Sequence, residues 1–183
     1  DKGAVIFNTE REEGFAVFVV DNTNRTEARY WIDDFLRVRQ RQDNYHNTHN
    51  TLAMCKKYVT KHLSKEFEVS KADQAELLNE TMKYFQEQES FSMDDFSEKV
   101  IRQPEVVESF TRFRQEYEQD RDIRIEDEFG ISDSAVKKQA RSYKSVIKLD
   151  RNFHIYVHGN RNLLEQGEDE KGKFYKVYYE EEE

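Results

Sequence analysis

KLDRNFHIYVHGNRN, residues 148–162, decides how the second half of this chain is read. Phe153, Ile155 and Val157 alternate with His154, Tyr156 and His158, and the alternation stops at Gly159-Asn160. A period of two marks a β-strand with unlike faces, and Gly-Asn is a turn signal. SVIKL (145–149) before it and FYKVYY (174–179) after it are short runs of β-branched and aromatic residues. With breaks at Asp150-Arg151-Asn152 and Gly159-Asn160 and an EDEKGK loop (168–173), the three runs make a meander.

Working outward, AVIF (4–7) and FAVFVV (15–20) flank the polar TEREEG (9–14) and predict a hairpin. The second run is apolar on both parities, which suits a central strand covered on both faces. Between these ends the apolar spacing turns helical. EARYWIDDFLRV (27–38) places Ala28, Trp31, Ile32, Phe35 and Leu36 on one stripe, and TLAMCKKYVTKHL (51–63) does so with Leu52, Cys55, Val59 and Leu63. RQRQDNYHNTHN (39–50) reads as a polar connector. Ser70 heads the next helix with Asp73 completing a variant capping box, and its stripe is Leu77, Leu78, Met82 and Phe85. Ser92 opens a short helix. Pro104 starts another, with Val106, Val107, Phe110, Phe113 and Tyr117 on its apolar side. Gly130 suggests a turn, and Ser132 or Asp133 caps a short helix in SDSAVKKQARSY (132–143).

Strands, then helices, then strands give an α+β fold. The expectation is a helical block over about residues 26–120, packed beside a small, mainly antiparallel sheet formed by the N-terminal and C-terminal strands. Residues 1–183 read as a single domain, the C-terminal part of a longer chain that begins before Asp1.

Composition narrows the function. The 183 residues carry a net charge of -9 with 37% charged and 13% aromatic side chains, a folded chain with a wet surface. Its overall field opposes DNA, so any such contact needs a local basic patch or chain outside this sequence. One cysteine, Cys55, allows no internal disulfide and suits a reducing cytoplasm. No apolar run approaches the ~20 residues that cross a bilayer, so no membrane partner is expected. Six glycines and no phosphate-cradling loop, nucleophile elbow or H-E-x-x-H leave no cofactor and no enzyme chemistry to propose.

Each candidate group has a plainer reading beside it. His154 and His158 lie roughly 13 Å apart along a strand at ~3.3 Å per residue, so they cannot share a metal ion and decorate an outer face with Tyr156. His46, His49 and Cys55 have the spacing H-x2-H-x5-C, but no second cluster completes a site, and no metal is expected. Cys55 sits on an apolar stripe and reads as buried and inert. Asp33 and Asp34 point about 100° apart on a helix and form no carboxylate pair.

The basic residues carry more. Lys137, Lys138, Arg141, Lys144, Lys148 and Arg151 crowd into fifteen residues, opposed there only by Asp150. Lys137 and Arg141 share a helix face, and Lys148 has the opposite parity to Ile147 and Leu149. Basic and aromatic side chains interleaved on one surface can meet a nucleic-acid backbone and stack on bases. The candidate nucleic-acid set is therefore Lys137, Lys138, Arg141, Lys144, Lys148, Arg151, Tyr156 and His158. Arg37, Arg39 and Arg41 form a second cluster, and the plainer reading of both is an ordinary charged surface. Acids segregate to 105–128 and to the C-terminal end, giving a dipolar molecule.

EARYWIDDFLRV (27–38), YHNTHNTLAMCKKYV (45–59) and AVKKQARSYKSVIKLDRNFHIYVHGNRN (135–162), in that order, resemble the C-terminal half of the bacterial nucleoid-associated protein family, the NdpA-like proteins. The resemblance implies a cytoplasmic protein on the nucleoid, associated with DNA, with no established catalysis. No catalytic motif of the family maps onto this chain. The negative charge implies that DNA contact is weak here or belongs to the full-length protein. The alternative is a domain for self-association, or for recruiting DNA-processing proteins, with a homo-oligomer expected.

Overall fold

The computed structural model describes residues 2–8, 14–21, 30–39, 41–143, 146–149, 152–156, 163–179 and 181, and of Asp21, Asp33, Val146 and Lys148 the backbone alone. The chain divides into two compact units, Asp1–Arg41 and Gln42–Glu183.

In the first unit, β1 (Lys2–Phe7) and β2 (Ala16–Asp21) form the expected antiparallel hairpin, in register from Lys2 opposite Asp21 to Phe7 opposite Ala16. Opposed residues of an antiparallel pair share a face. Val20 therefore lies beside the Val5–Phe18 pair and Phe7 on one side of the ladder, and all four are exposed. The expected double cover of β2 is not found among the described residues: β1 is its one partner there, and Phe18 remains 66% accessible. A two-stranded ladder has no second layer of its own to cover it. Tyr30–Leu36 is a π-helical turn, within the segment expected to be helical. Trp31 and Phe35 stack at 4.9 Å, but the wider turn breaks the 3.6-residue stripe and leaves Phe35 exposed.

The second unit begins with α1 (Asn44–Lys57), which passes through a π turn (Tyr58–His62) into α2 (Leu63–Glu66). Asp43 caps α1, its carboxylate accepting from the His46 backbone N–H at 3.0 Å. The connector expected over 39–50 is thus corrected, because Asn44–Asn50 is helix and Asn47, Thr48 and Asn50 are buried in it. Thr48 Oγ1 donates to the Asn44 carbonyl at 2.7 Å and accepts from the Ser132 N–H at 3.0 Å. Thr51 Oγ1 donates to the Asn47 carbonyl at 2.8 Å. A partner 84 residues away in sequence thus satisfies the buried Thr48, and an apolar period cannot register it.

Next come α3 (Lys71–Glu87), β3 (Ser90–Ser92), α4 (Met93–Phe96) with a π turn (Ser97–Ile101), α5 (Pro104–Arg121) and β4 (Glu128–Gly130). The Ser70–Asp73 capping box forms as expected, the Asp73 carboxylate accepting from the Ser70 N–H at 2.8 Å. Pro104 opens α5, and Asp122 ends it with φ 52°. β3 and β4 pair antiparallel, so Gly130 is a strand residue and not the expected turn. A Cβ there would lie 2.6 Å from Asn44 Nδ2, which shows how closely β4 approaches α1.

The main core is built from the predicted stripes: Leu52, Cys55, Val59, Leu63, Leu78, Met82, Phe85, Val106, Phe110, Phe113 and Tyr117 are buried. Its centre is aromatic. Phe91 stacks on Phe85 at 5.3 Å and on Phe129 at 4.8 Å, which joins the β3–β4 ladder to α3. Tyr58 meets Phe110 edge-on at 5.1 Å, and its hydroxyl, 3.0 Å from Ser109 Oγ, is satisfied inside the core.

After α6 (Asp133–Ala140) come β5 (Val146–Leu149), β6 (Phe153–Tyr156), β7 (Leu164–Asp169) and β8 (Gly172–Val177). The expected meander is two hairpins: β5 pairs with β6, and β8 pairs with β7. β7, LEQGED, contains too little apolar or β-branched sequence to be read as a strand. The single sheet shared by N-terminal and C-terminal strands is likewise corrected, since the described strands form four separate two-stranded ladders. A small second core of Ala72, Ile147 and Leu164 joins β5 and β7 to the start of α3, flanked by Leu149, Ile155 and Tyr175. Phe153, on the opposite face to His154 and Tyr156, is exposed at the end of its short ladder. The α+β class holds throughout. Among the described residues, no helix is long and apolar enough to cross a membrane.

Phe91→Ala removes the ring between Phe85 and Phe129 and should destabilise the fold by about 3–5 kcal/mol in urea denaturation. Stability should also fall in alkali. Burial, and then the Asp95 carboxylate that accepts the Tyr84 hydroxyl at 2.9 Å, push Tyr84 from 10.0 up to about 12. A raised folded-state pKa gives stability that is complete below pH 10.0 and lost as pH climbs through about 12. Tyr84→Phe should flatten that alkaline loss when denaturation midpoints are compared across pH.

Candidate nucleic-acid interface

The spacing within α6 sorts its side chains by face. Ala135 and Val136 are buried and Gln139 and Ala140 half-buried, while Asp133, Ser134, Lys137, Lys138 and Arg141 are exposed. The inward residues recur at three and four positions, one side of a short helix. Tyr143 then fixes the end of this segment: it is buried, and its hydroxyl donates to the Leu52 carbonyl of α1 in a short hydrogen bond. Burial pushes that hydroxyl well above its ordinary value, so it remains a donor at neutral pH.

With one side held against α1, the other must present its cations outward. Lys137 and Arg141 are four residues apart, Lys138 and Arg141 three, so the three form one contiguous exposed patch. Among the described residues none of the three is paired with a carboxylate. Two arginines of α5 are different. Arg112 pairs with Glu66 at 3.1 Å and Glu108 at 3.0 Å, and Arg114 with Glu118 and Asp127. Lys137, Lys138 and Arg141 thus lack the carboxylate partners that Arg112 and Arg114 have.

The first turns of α1 border the patch with groups that were expected to lie in a connector. Lys138 Nζ donates to the Tyr45 hydroxyl at 3.3 Å and stands 5.9 Å from the centre of its ring. The Tyr45 and His49 rings lie near-parallel, 6.3 Å apart. Gln139 Nε2 donates to His49 Nδ1 at 2.9 Å, and Gln139 Oε1 accepts from Ser142 Oγ at 3.1 Å. Tyr45 and His49 were not among the candidate contacts. The signal was present as an aromatic and an imidazole four apart directly after the Asp43 cap.

The remaining predicted residues are placed as follows. Lys144, Arg151 and His158 lie outside the described residues. Lys148 is opposite His154 in the β5–β6 ladder, and Tyr156, exposed, is opposite Val146. That register puts positions 146, 148, 154 and 156 on one face of the ladder, as the alternation predicts. The structure thus brings Lys137, Lys138 and Arg141 together on α6, while Tyr156 and the Lys148 backbone belong to a separate element.

The weighed metal ligands do not converge. His46 Nδ1 is 2.7 Å from Asp43 Oδ1, His49 is bonded to Gln139, and Cys55 is 2% accessible in the core. Burial pushes the Cys55 thiol far up, so it stays protonated and unreactive. Among the described residues, no group of three His, Cys, Asp or Glu side chains is arranged to hold a metal ion.

A family model described as nucleoid-associated protein YejK matches residues 1–182. No curated protein and no solved structure matches the chain.

The exposed and buried ends of α6 should separate in mutagenesis. Lys137→Glu with Arg141→Glu should leave urea stability within about 0.5 kcal/mol, because both side chains are on the surface. Tyr143→Phe should cost about 1–3 kcal/mol by leaving the Leu52 carbonyl without its buried donor.

Proposed function

The chain belongs to the nucleoid-associated protein YejK family, and on that premise we propose that it is a non-enzymatic, DNA-associated protein of the bacterial nucleoid in the cytoplasm. The observation that carries this reading is the α6 patch: Lys137, Lys138 and Arg141 exposed and without a carboxylate partner among the described residues, in a chain of net charge -9. Phosphates displace their condensed counterions when lysines and arginines approach, and that release drives binding whatever the base sequence. Lys144, Lys148 and Arg151 extend the same run in sequence, with Tyr156 and His158 as its aromatic members. Partners on this reading are DNA and, through the full-length protein, DNA-processing proteins. Neither a cofactor nor a membrane is part of it.

The chemistry asks for little geometry. A point-charge ammonium needs only proximity to a phosphate, and a guanidinium adds two directed donors. Three neutralised phosphates give a slope of log affinity against log salt of about -2.7 on duplex DNA, and participation of all six cations makes it about -5. Lys137→Glu with Arg141→Glu should abolish retention in a gel-shift assay at low salt, and unchanged retention would refute the assignment of this patch.

A second reading is favoured by the first unit. Val5, Phe7, Phe18 and Val20 make an exposed apolar face on one side of the β1–β2 ladder, a composition typical of surfaces that meet protein. On that reading the chain is a self-association or recruiting domain, and DNA is contacted elsewhere in the assembly. Light scattering over a concentration series should then show a dimer that Phe18→Asp returns to monomer. A wild-type protein that stays monomeric throughout removes self-association.

A further inference from the structure

We infer that Tyr45 is a positioning residue for the DNA-contact surface, holding the Lys138 ammonium where it meets a backbone phosphate; the inference rests on the DNA reading above. A lysine side chain is long and free to rotate, and a contact made by a loose ammonium loses that freedom on binding. Lys138 is different from Lys137 and Arg141 in having a fixed neighbour. Its Nζ donates to the Tyr45 hydroxyl at 3.3 Å and lies 5.9 Å from the ring centre, so one side chain offers both an oxygen acceptor and a π face.

The tyrosine is itself restrained. It is half-buried, its ring runs at 12° to His49, and His49 accepts from Gln139 on the helix that carries Lys138. Tyr45, His49, Gln139 and Lys138 therefore close a circuit between α1 and α6. The ammonium has three donors, and the hydroxyl takes one, leaving two for phosphate oxygens.

The same geometry defines what is read. Positions 137 to 141 span about 6 Å of helix axis at 1.5 Å per residue. Successive phosphates of one strand advance about 3.4 Å along the duplex, so the patch covers a short run of one backbone. Nothing in it is an Asn or Gln free to pair a base edge, because Gln139 is occupied by His49 and Ser142. The ligand class is the sugar-phosphate backbone, without base discrimination.

The test is a double-mutant cycle on the whole chain, read by fluorescence anisotropy on a labelled duplex across a salt titration. Tyr45→Leu should weaken binding about two- to fivefold with the salt slope unchanged, because no phosphate contact is deleted. Tyr45→Phe, which keeps the ring and its packing, should give a smaller loss. Lys138→Gln should weaken binding and lower the slope by about 0.9. Adding Tyr45→Leu to Lys138→Gln should change nothing further, since the tyrosine acts through the lysine. Wild-type affinity in both tyrosine variants, or an equal loss with and without Lys138, overturns the inference. If Lys137→Glu with Arg141→Glu lowers affinity while the tyrosine variants are silent, only the positioning role fails. If the wild-type chain binds no duplex, the DNA reading fails with it.

Discussion

The seating of α6 on the polar first half of α1 is the constraint on which the proposed site depends. Four hydrogen-bonding groups of α1 and its flank are used: Thr48 Oγ1 takes the Ser132 N–H, His49 takes the Gln139 amide, the Leu52 carbonyl takes the Tyr143 hydroxyl, and Tyr45 takes Lys138. The first three lie on the inward side of the 132–143 segment and fix its rotation about its own axis. Once that rotation is set, the positions of Lys137, Lys138 and Arg141 follow from helical geometry alone. Buried polar groups are costly unless paired, and the pairing here makes the register of α6 specific where apolar contact would leave it free to slide.

The rest of the second unit supplies a rigid platform for this pair. The aromatic cluster of Tyr58, Phe85, Phe91, Phe96, Phe110, Phe113, Tyr117 and Phe129 links the π turn that follows α1 with α3, α4, α5 and the β3–β4 ladder. Rings of that size bury large area and limit one another's orientation, so the C-terminal end of α1 is held at Tyr58, while Leu52, Met54 and Cys55 seat its second half in the same core. The C-terminal ladders are attached more lightly, through Ala72, Ile147 and Leu164. The larger core therefore lies behind α6 and not behind β5–β6, and the exposed cations of α6 stand on a firmer base than the positions of the ladder.

An acidic protein can carry such a patch because charge acts locally in salt. At physiological ionic strength the screening length is about 8 Å, so distant carboxylates contribute little at the α6 surface. What matters is whether acids stand next to the cations. Around Arg112 and Arg114 of α5 they do, as Glu66, Glu108, Glu118 and Asp127. On α6 three cations stand against one acid of the same helix, Asp133, with a tyrosine and a histidine at the flank. Net charge is a property of the whole chain and does not describe the local charge of the α6 surface.

Much of the fold was legible by itself in the sequence. The 3.6-residue stripes of α3 and α5, the Ser70–Asp73 capping box, Pro104 at the head of α5 and the β1–β2 hairpin are local matters of spacing and dihedral preference, and each is found where the pattern puts it. The clustering of Lys137, Lys138 and Arg141 on one side of a helix was legible for the same reason. Tertiary structure alone decided the rest. Asn44–Asn50 forms helix with Thr48 buried against a partner, the Ser132 N–H, 84 residues away. β7 became a strand because β8 paired with it, and four ladders formed instead of one sheet because strand pairing depends on what lies alongside and not on the strand's own alternation. Tyr45 reached Lys138 through the same seating of α6 on α1, a contact across 93 residues that no local period encodes.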